Sequence, residues 1–142
     1  MECEFPTVNS KSEEIIEILK NTKTIAIAGL SPDPTKASNA VAAYLQSVGY
    51  KIVPVYPKED VILGEKVYRT ISEIPFKIDM VDIFRKPDAI AQIVDEAIKR
   101  GDVDTVLFQL GLVNNEAAAK AKEARLKVVQ NKCTKIEHRN LF

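Results

Sequence analysis

What most constrains the fold of this chain is a change of hydrophobic period that recurs along its length. Short apolar runs, "TIAIA" from Thr24, "YKIVPVYP" (Tyr50–Pro57), "IDMVDIF" (Ile78–Phe84), "VDTVLFQLG" and "LKVVQN", are separated by stretches of helical periodicity. A near-continuous apolar run bounded by turn residues reads as a strand buried on both faces. Between the runs, Ser10–Lys20 reads as a helix with Ser10 and Glu13 as a capping box and Ile15, Ile16 and Leu19 on one face. Ser38–Ser47 reads as a second helix, with Val41, Ala42 and Leu45 inward and Gly49 just past its end. "KPDAIAQIVDEAIKRG", with Pro87 in the first turn, and "NNEAAAKAKEAR", capped by Asn114 or Asn115, supply two more. The tail "TKIEHRNLF" adds a helical turn or two, and "DVILGEKVYRTISEIP" is an excursion with a turn at Gly64 and one helical turn at Ser72–Ile74.

Strand–helix alternation of this kind means a parallel sheet covered on both faces. Right-handed crossovers then favour an α/β, Rossmann-like, doubly wound fold, a mainly five-stranded parallel sheet with helices on both faces. At 142 residues the chain suits one domain, 1–142, with residues 1–22 forming an N-terminal helix packed on it.

The charge balance narrows the function. Twenty Lys plus Arg offset twenty Asp plus Glu, whereas a nucleic-acid protein uses a basic excess to neutralise phosphates. No apolar run approaches the ~20 residues of a membrane span, and the start "MECEFPTVNSKSEE" lacks the apolar core of a signal peptide. Cys3 and Cys133 make no disulfide framework and no CxxC motif, which suits free thiols in a reducing cytoplasm. His138 is the only histidine, so a metal site lacks ligands and His138 is expected on the surface of the tail.

In such sheets a ligand lies beyond the carboxyl ends of the strands. After the first run come Gly29, Leu30 and Ser31, then Lys36, Ser38 and Asn39 at the start of the next helix. Amides at a helix N-terminus favour a phosphate, the serines offer hydroxyls and Lys36 a cation; the plainer alternative is an ordinary strand–helix loop. The second run ends in Tyr56, Pro57 and Lys58, where a dinucleotide fold would place an acid for a ribose diol. A cation there suits an adenosine carrying an extra phosphate, or else Lys58 is solvated surface. Phe84 and Arg85, with Lys86, end the third run and make a wall for adenine and phosphate, unless Phe84 is core. Gln109 ends the fourth run and must either bond the neighbouring backbone or face a pocket. Cys133 stands between Lys132 and Lys135, cations that favour a thiolate; the alternative is a half-buried structural cysteine.

With these residues in view, the chain resembles the small stand-alone CoA-binding-domain proteins, whose fold is similar to the CoA-binding domain of succinyl-CoA synthetase alpha subunits. The resemblance spans roughly Thr24 to Cys133 and is carried by "GLSPDPTKASN", "GYKIVPVYP", "VDIFRKPD", "LFQLGLVNNEAA" and "VVQNKC". It implies that the Gly29–Ser31 loop and the following helix hold a pyrophosphate. It implies too that Tyr56, Pro57 and Lys58 flank the adenosine and its phosphate, and that Phe84 and Arg85 complete the wall. Tyr56 stands where the family usually has an asparagine. Nothing matches the synthetases' phosphohistidine, so no ligase activity and no catalytic residue is carried over.

The expected ligand is therefore coenzyme A or acyl-CoA, bound in the cytoplasm, with thioester preference set by Gln109, Leu112 and Val113. An NADP-dependent oxidoreductase is the first alternative, although Tyr44, Tyr50, Tyr56 and Tyr68 lack an obvious lysine partner. A thiol module using Cys133 is the second, and a regulatory scaffold for another protein the third. Self-association, with Val61–Ile74 contributing, is open; nucleic acid and membrane are not expected partners.

Overall fold

The strand Thr24–Ala28 (β1) is apolar from Ile25 onward and buried at each of those positions because helices cover the sheet on both sides. The computed structural model describes residues 6–142. Around β1 lie the helices α1 (Ser12–Asn21), α2 (Ala37–Ser47), α3 (Pro87–Arg100), α4 (Asn115–Glu123) and α5 (Thr134–Leu141). The remaining strands are β2 (Lys51–Val55), a small hairpin β3 (Val61–Ile62) with β4 (Glu65–Lys66), β5 (Met80–Ile83), β6 (Thr105–Phe108) and β7 (Lys127–Gln130); a 3-10 turn covers Ile71–Glu73.

The five main strands run parallel in the order β2-β1-β5-β6-β7, a Rossmann-like α/β sheet. The chain steps outward from β1 to β2, then returns through the hairpin and the 3-10 turn to pair β5 on the other side of β1. That reversal leaves a crevice beyond the carboxyl ends of β1 and β5, where ligands of such sheets lie. Pro54 lies within β2 without breaking the ladder, because β2 is an edge strand.

Alternation along each strand divides the core. Ile25, Ile27, Met80 and Leu107 meet Ile15, Ile18, Val41 and Leu45 of α1 and α2. Ala26, Ala28, Val81, Val106 and Phe108 meet Ile90, Val94 and Ala118 of α3 and α4. Each fully buried aliphatic side chain contributes roughly 1.5–3 kcal/mol. Among the described residues, no helix is long and apolar enough to cross a membrane.

Two expectations shift. The first helix starts at Ser12, and it is Glu14 Oε1 that accepts the Lys11 amide at 3.2 Å; the Ser10 hydroxyl donates instead to the Val128 carbonyl at 2.6 Å. His138 is not a free surface residue. Its Nδ1 lies 2.9 Å from the Tyr44 hydroxyl and its ring stacks on Phe142 at 5.0 Å, which ties α5 to α2.

One arginine fastens the excursion between β2 and β5 to the end of α3. Arg100 donates to the carbonyls of Ile71, Ile74 and Phe76 at 2.7–2.8 Å and pairs with the Asp102 carboxylate at 2.8 Å, its side chain only 11% exposed. Truncation leaves the Ile74 and Phe76 carbonyls without a donor and Asp102 with the Ile78 amide in place of a guanidinium. Arg100→Ala should therefore cost about 2 kcal/mol or more in chemical denaturation; a loss within experimental error would show that the excursion holds without it.

Candidate functional site

The site is built on the one residue that ends β1. Gly29 has φ +88, and a Cβ there would fall 2.8 Å from the Phe84 carbonyl oxygen and 2.9 Å from Arg85 Cδ. Only glycine lets the end of β1 approach the end of β5 this closely. Its amide and that of Leu30 both donate to the Val55 carbonyl, at 2.9 and 3.3 Å, so the three strand ends are knit together.

This knitting redistributes the donors expected of the loop. Besides Gly29 and Leu30, the Ser31 amide donates to Ser38 Oγ at 3.0 Å, and Asn39 Nδ2 donates to the Ser31 carbonyl at 3.0 Å. The Leu30 side chain is fully buried. Ser31 Oγ accepts the Asp33 amide, while Asp33 accepts the Thr35 amide and hydroxyl, so the loop is shaped by its own polar side chains. The unengaged donors lie one step further on. No described residue accepts from the amides of Ala37, Ser38 and Asn39, the first turn of α2, whose N-cap residue Lys36 supplies no side-chain bond.

The same holds at two other helix starts. α3 begins at Lys86 and Pro87 and α5 at Cys133, again without a capping side chain. By contrast α4 is capped by Asn114 Oδ1 on the Ala117 amide at 3.0 Å. Ala37, Lys86, Pro87 and Cys133 all line one cavity of about 550 Å³, completed chiefly by Val41, Phe84, Arg85, Gln109, Leu110, Leu112 and Ile136. Three uncapped helix N-termini thus direct their positive ends toward a cavity with largely apolar walls. A smaller polar cavity of about 140 Å³ adjoins it, lined by Gly29, Arg69, Thr70, Arg85, Gln92 and Glu96 among others. Arg85 belongs to both, and its guanidinium makes no hydrogen bond or ion pair with any described residue, nor do the ammonium groups of Lys58 and Lys86.

Of the expected residues, Phe84, Arg85 and Gln109 line the large cavity and Gly29 the small one. Lys36, the N-cap of α2, precedes Ala37 in the chain but lines neither cavity. Leu30, Ser31, Ser38 and Asn39 shape the loop; Tyr56, half-buried against the core, leads into the exposed Pro57 and Lys58 after β2, and none of the three lines either cavity. Leu112 is in the wall, whereas Val113 is buried outside it. Cys133 is half-buried in the wall with a free thiol, and Cys3 lies outside the described residues.

Two residues escaped the reading of the sequence. Arg69, carried back by the hairpin, donates through Nη1 to the carbonyls of Tyr56, Lys58 and Glu59 at 2.8–3.0 Å and so fixes the turn after β2. Asp82, fully buried in β5, accepts from Gln109 Nε2 at 2.5 Å and from the Thr134 hydroxyl at 2.8 Å. Burial pushes its carboxyl up to about 7, against the pull of those two hydrogen bonds. An acid inside an otherwise apolar strand was the available signal.

An open parallel sheet with uncapped helix N-termini and unpaired cations at its reversal point is the arrangement of Rossmann-like ligand-binding domains. The model of the CoA binding domain family matches residues 23–139, and the chain belongs to that family. It is 37% identical over 130 residues to the Bacillus subtilis protein YneT, covering 92% of this chain and 96% of that one. A solved structure of a hypothetical protein from Pyrococcus horikoshii superposes with a TM-score of 0.90 at 42% identity, covering 99% of each chain. The chain is also 27% identical over 119 residues to the alpha subunit of an ADP-forming acetate–CoA ligase II from Pyrococcus furiosus, but spans only 26% of that subunit.

The Asp82 carboxyl makes stability depend on pH. Its folded value lies above the ordinary 3.8, so between those values the folded protein holds a proton the unfolded chain has released. The resulting stability is fully present below about pH 4 and is lost as the pH rises through about 7. Asp82→Asn cannot ionise and should gain on the parent protein between about pH 5 and pH 8, read from urea midpoints. A difference between the two proteins that ignores pH would contradict burial as the cause.

Proposed function

We propose that this chain is a cytoplasmic module that binds coenzyme A or its thioesters across the crevice between β1 and β5, with no ligase chemistry of its own. The observation that carries this reading is the placement of Arg85. Gly29 seats an unpaired guanidinium between a small polar cavity and a large apolar one. A ligand with phosphates at one end and a long arm at the other fits such a boundary. The pyrophosphate lies at the open amides of Ala37, Ser38 and Asn39, beside Lys36 and Arg85. Tyr56 and Pro57 flank the adenosine, Lys58 meets the 3′-phosphate, and Phe84 forms the wall from which the arm enters the larger cavity. The apolar lining from Val41, Leu110, Leu112 and Ile136 leaves room for an acyl group. Membership of the CoA binding domain family supports the ligand, and the relation to a ligase alpha subunit supports a role that hands the thioester to a protein partner.

Titration calorimetry with coenzyme A, dephospho-CoA and NADP at one salt concentration tests this. Coenzyme A should bind in the micromolar range. Arg85→Ala should weaken it about tenfold, the cost of losing a charge-assisted hydrogen bond. Lys58→Ala should weaken coenzyme A but leave dephospho-CoA unchanged. Binding of NADP with none of coenzyme A would overturn the assignment.

A further inference from the structure

Gln109 is 4% exposed and lies in the wall of the large cavity, yet its amide nitrogen faces away from that space. Nε2 donates one hydrogen to Asp82 Oδ1 and the other to Thr134 Oγ1 at 3.2 Å, while the Thr134 hydroxyl donates to Asp82 Oδ2. The three side chains close a ring, with Asp82 and Thr134 fully buried. An ionised carboxylate only accepts, so Gln109 must present its nitrogen to Asp82 and cannot turn its amide over. Oε1 is then the atom left, and it bonds no described residue. Among the described residues no buried side-chain nitrogen or oxygen lacks a partner, so Oε1 is an atom open to the cavity. Among the described residues it is also the one side-chain oxygen in the wall: Arg85 and Lys86 only donate, Cys133 offers sulfur, and the other lining side chains are apolar.

We propose that Gln109 is the specificity-determining acceptor of the cavity, held by Asp82 and Thr134 so that Oε1 takes the N–H of a secondary amide in the ligand's arm. The inference rests on the coenzyme A reading, since the arm of that molecule carries secondary amides. An acceptor fixed in an apolar wall favours an arm that brings a donor and disfavours a plain hydrocarbon, which would bury Oε1 without a hydrogen bond. Thr134, at the first position of α5, is a positioning residue and touches the ligand only through Gln109.

The test uses the full chain at a pH of about 8.5, where Asp82 is ionised, and three ligands: coenzyme A, adenosine 3′,5′-bisphosphate, which lacks the arm, and a coenzyme A analogue with ester oxygens in place of the arm's amide nitrogens. Gln109→Met keeps the volume and removes the acceptor. It should weaken coenzyme A about tenfold and leave the bisphosphate unchanged. On the unmodified protein the ester analogue should bind about tenfold more weakly than coenzyme A, a readout that stands even if the variant does not fold. Equal binding of coenzyme A and the analogue would overturn the role of Gln109. So would a folded Gln109→Met variant that keeps its affinity for coenzyme A, or loses coenzyme A and the bisphosphate alike. Failure of both coenzyme A and the bisphosphate to bind the unmodified protein would instead remove the coenzyme A reading, and this inference with it.

Discussion

The end of β1 lies against the end of β5 because position 29 carries no side chain. The Phe84 amide donates to the Ala28 carbonyl at 2.8 Å, and the Gly29 and Leu30 amides close on the Val55 carbonyl. Where a Cβ would stand, the Phe84 carbonyl and the Arg85 stem already occupy the space. Everything at the crevice follows from that contact: the turn into the loop, the direction of Arg85, and the boundary between a polar and an apolar cavity.

Capping then separates the helices by role. α4 begins on a capping asparagine that is itself held, its amide nitrogen donating to the Pro87 carbonyl and its backbone amide to Gln130 Oε1. α2, α3 and α5 begin without such side chains, and residues from their first turns or caps border the large cavity. Uncapped amides are usually satisfied by water or a ligand, so leaving three starts open around one space disposes it toward an anion. Asp82, in the central strand β5, is held by two neutral partners, Gln109 and Thr134, and no described cation pairs with it.

How far the sequence alone revealed this depends on the range of each interaction. The alternation of strands and helices was legible because hydrophobic period is a local property, and the reversal beside β1 followed from connection rules. Helix caps were less so: Ser10 looked like a cap, but its hydroxyl finds the Val128 carbonyl far along the chain. Gly29 was legible as a turn, whereas its contact with Phe84 is a matter of packing across two strands. Gln109 was caught between a backbone bond and a pocket: its nitrogen bonds the side chains of Asp82 and Thr134 instead of backbone, while the residue lines the cavity. Asp82 and Arg69 were missed because what gives them meaning lies elsewhere in sequence: Thr134 for the first, the turn after β2 for the second. Tyr44 and His138 are likewise brought together only by the packing of α5 on α2.

The central claim is that an anionic ligand sits at the open start of α2, beside Arg85. Backbone amide chemical shifts recorded as coenzyme A is added to isotopically labelled protein address it residue by residue. The largest changes should fall on Ala37, Ser38 and Asn39, with Phe84, Arg85 and Gln109 following and α4 unmoved. Changes confined to α4 or to the amino ends of the strands, or none at all at millimolar ligand, would contradict it.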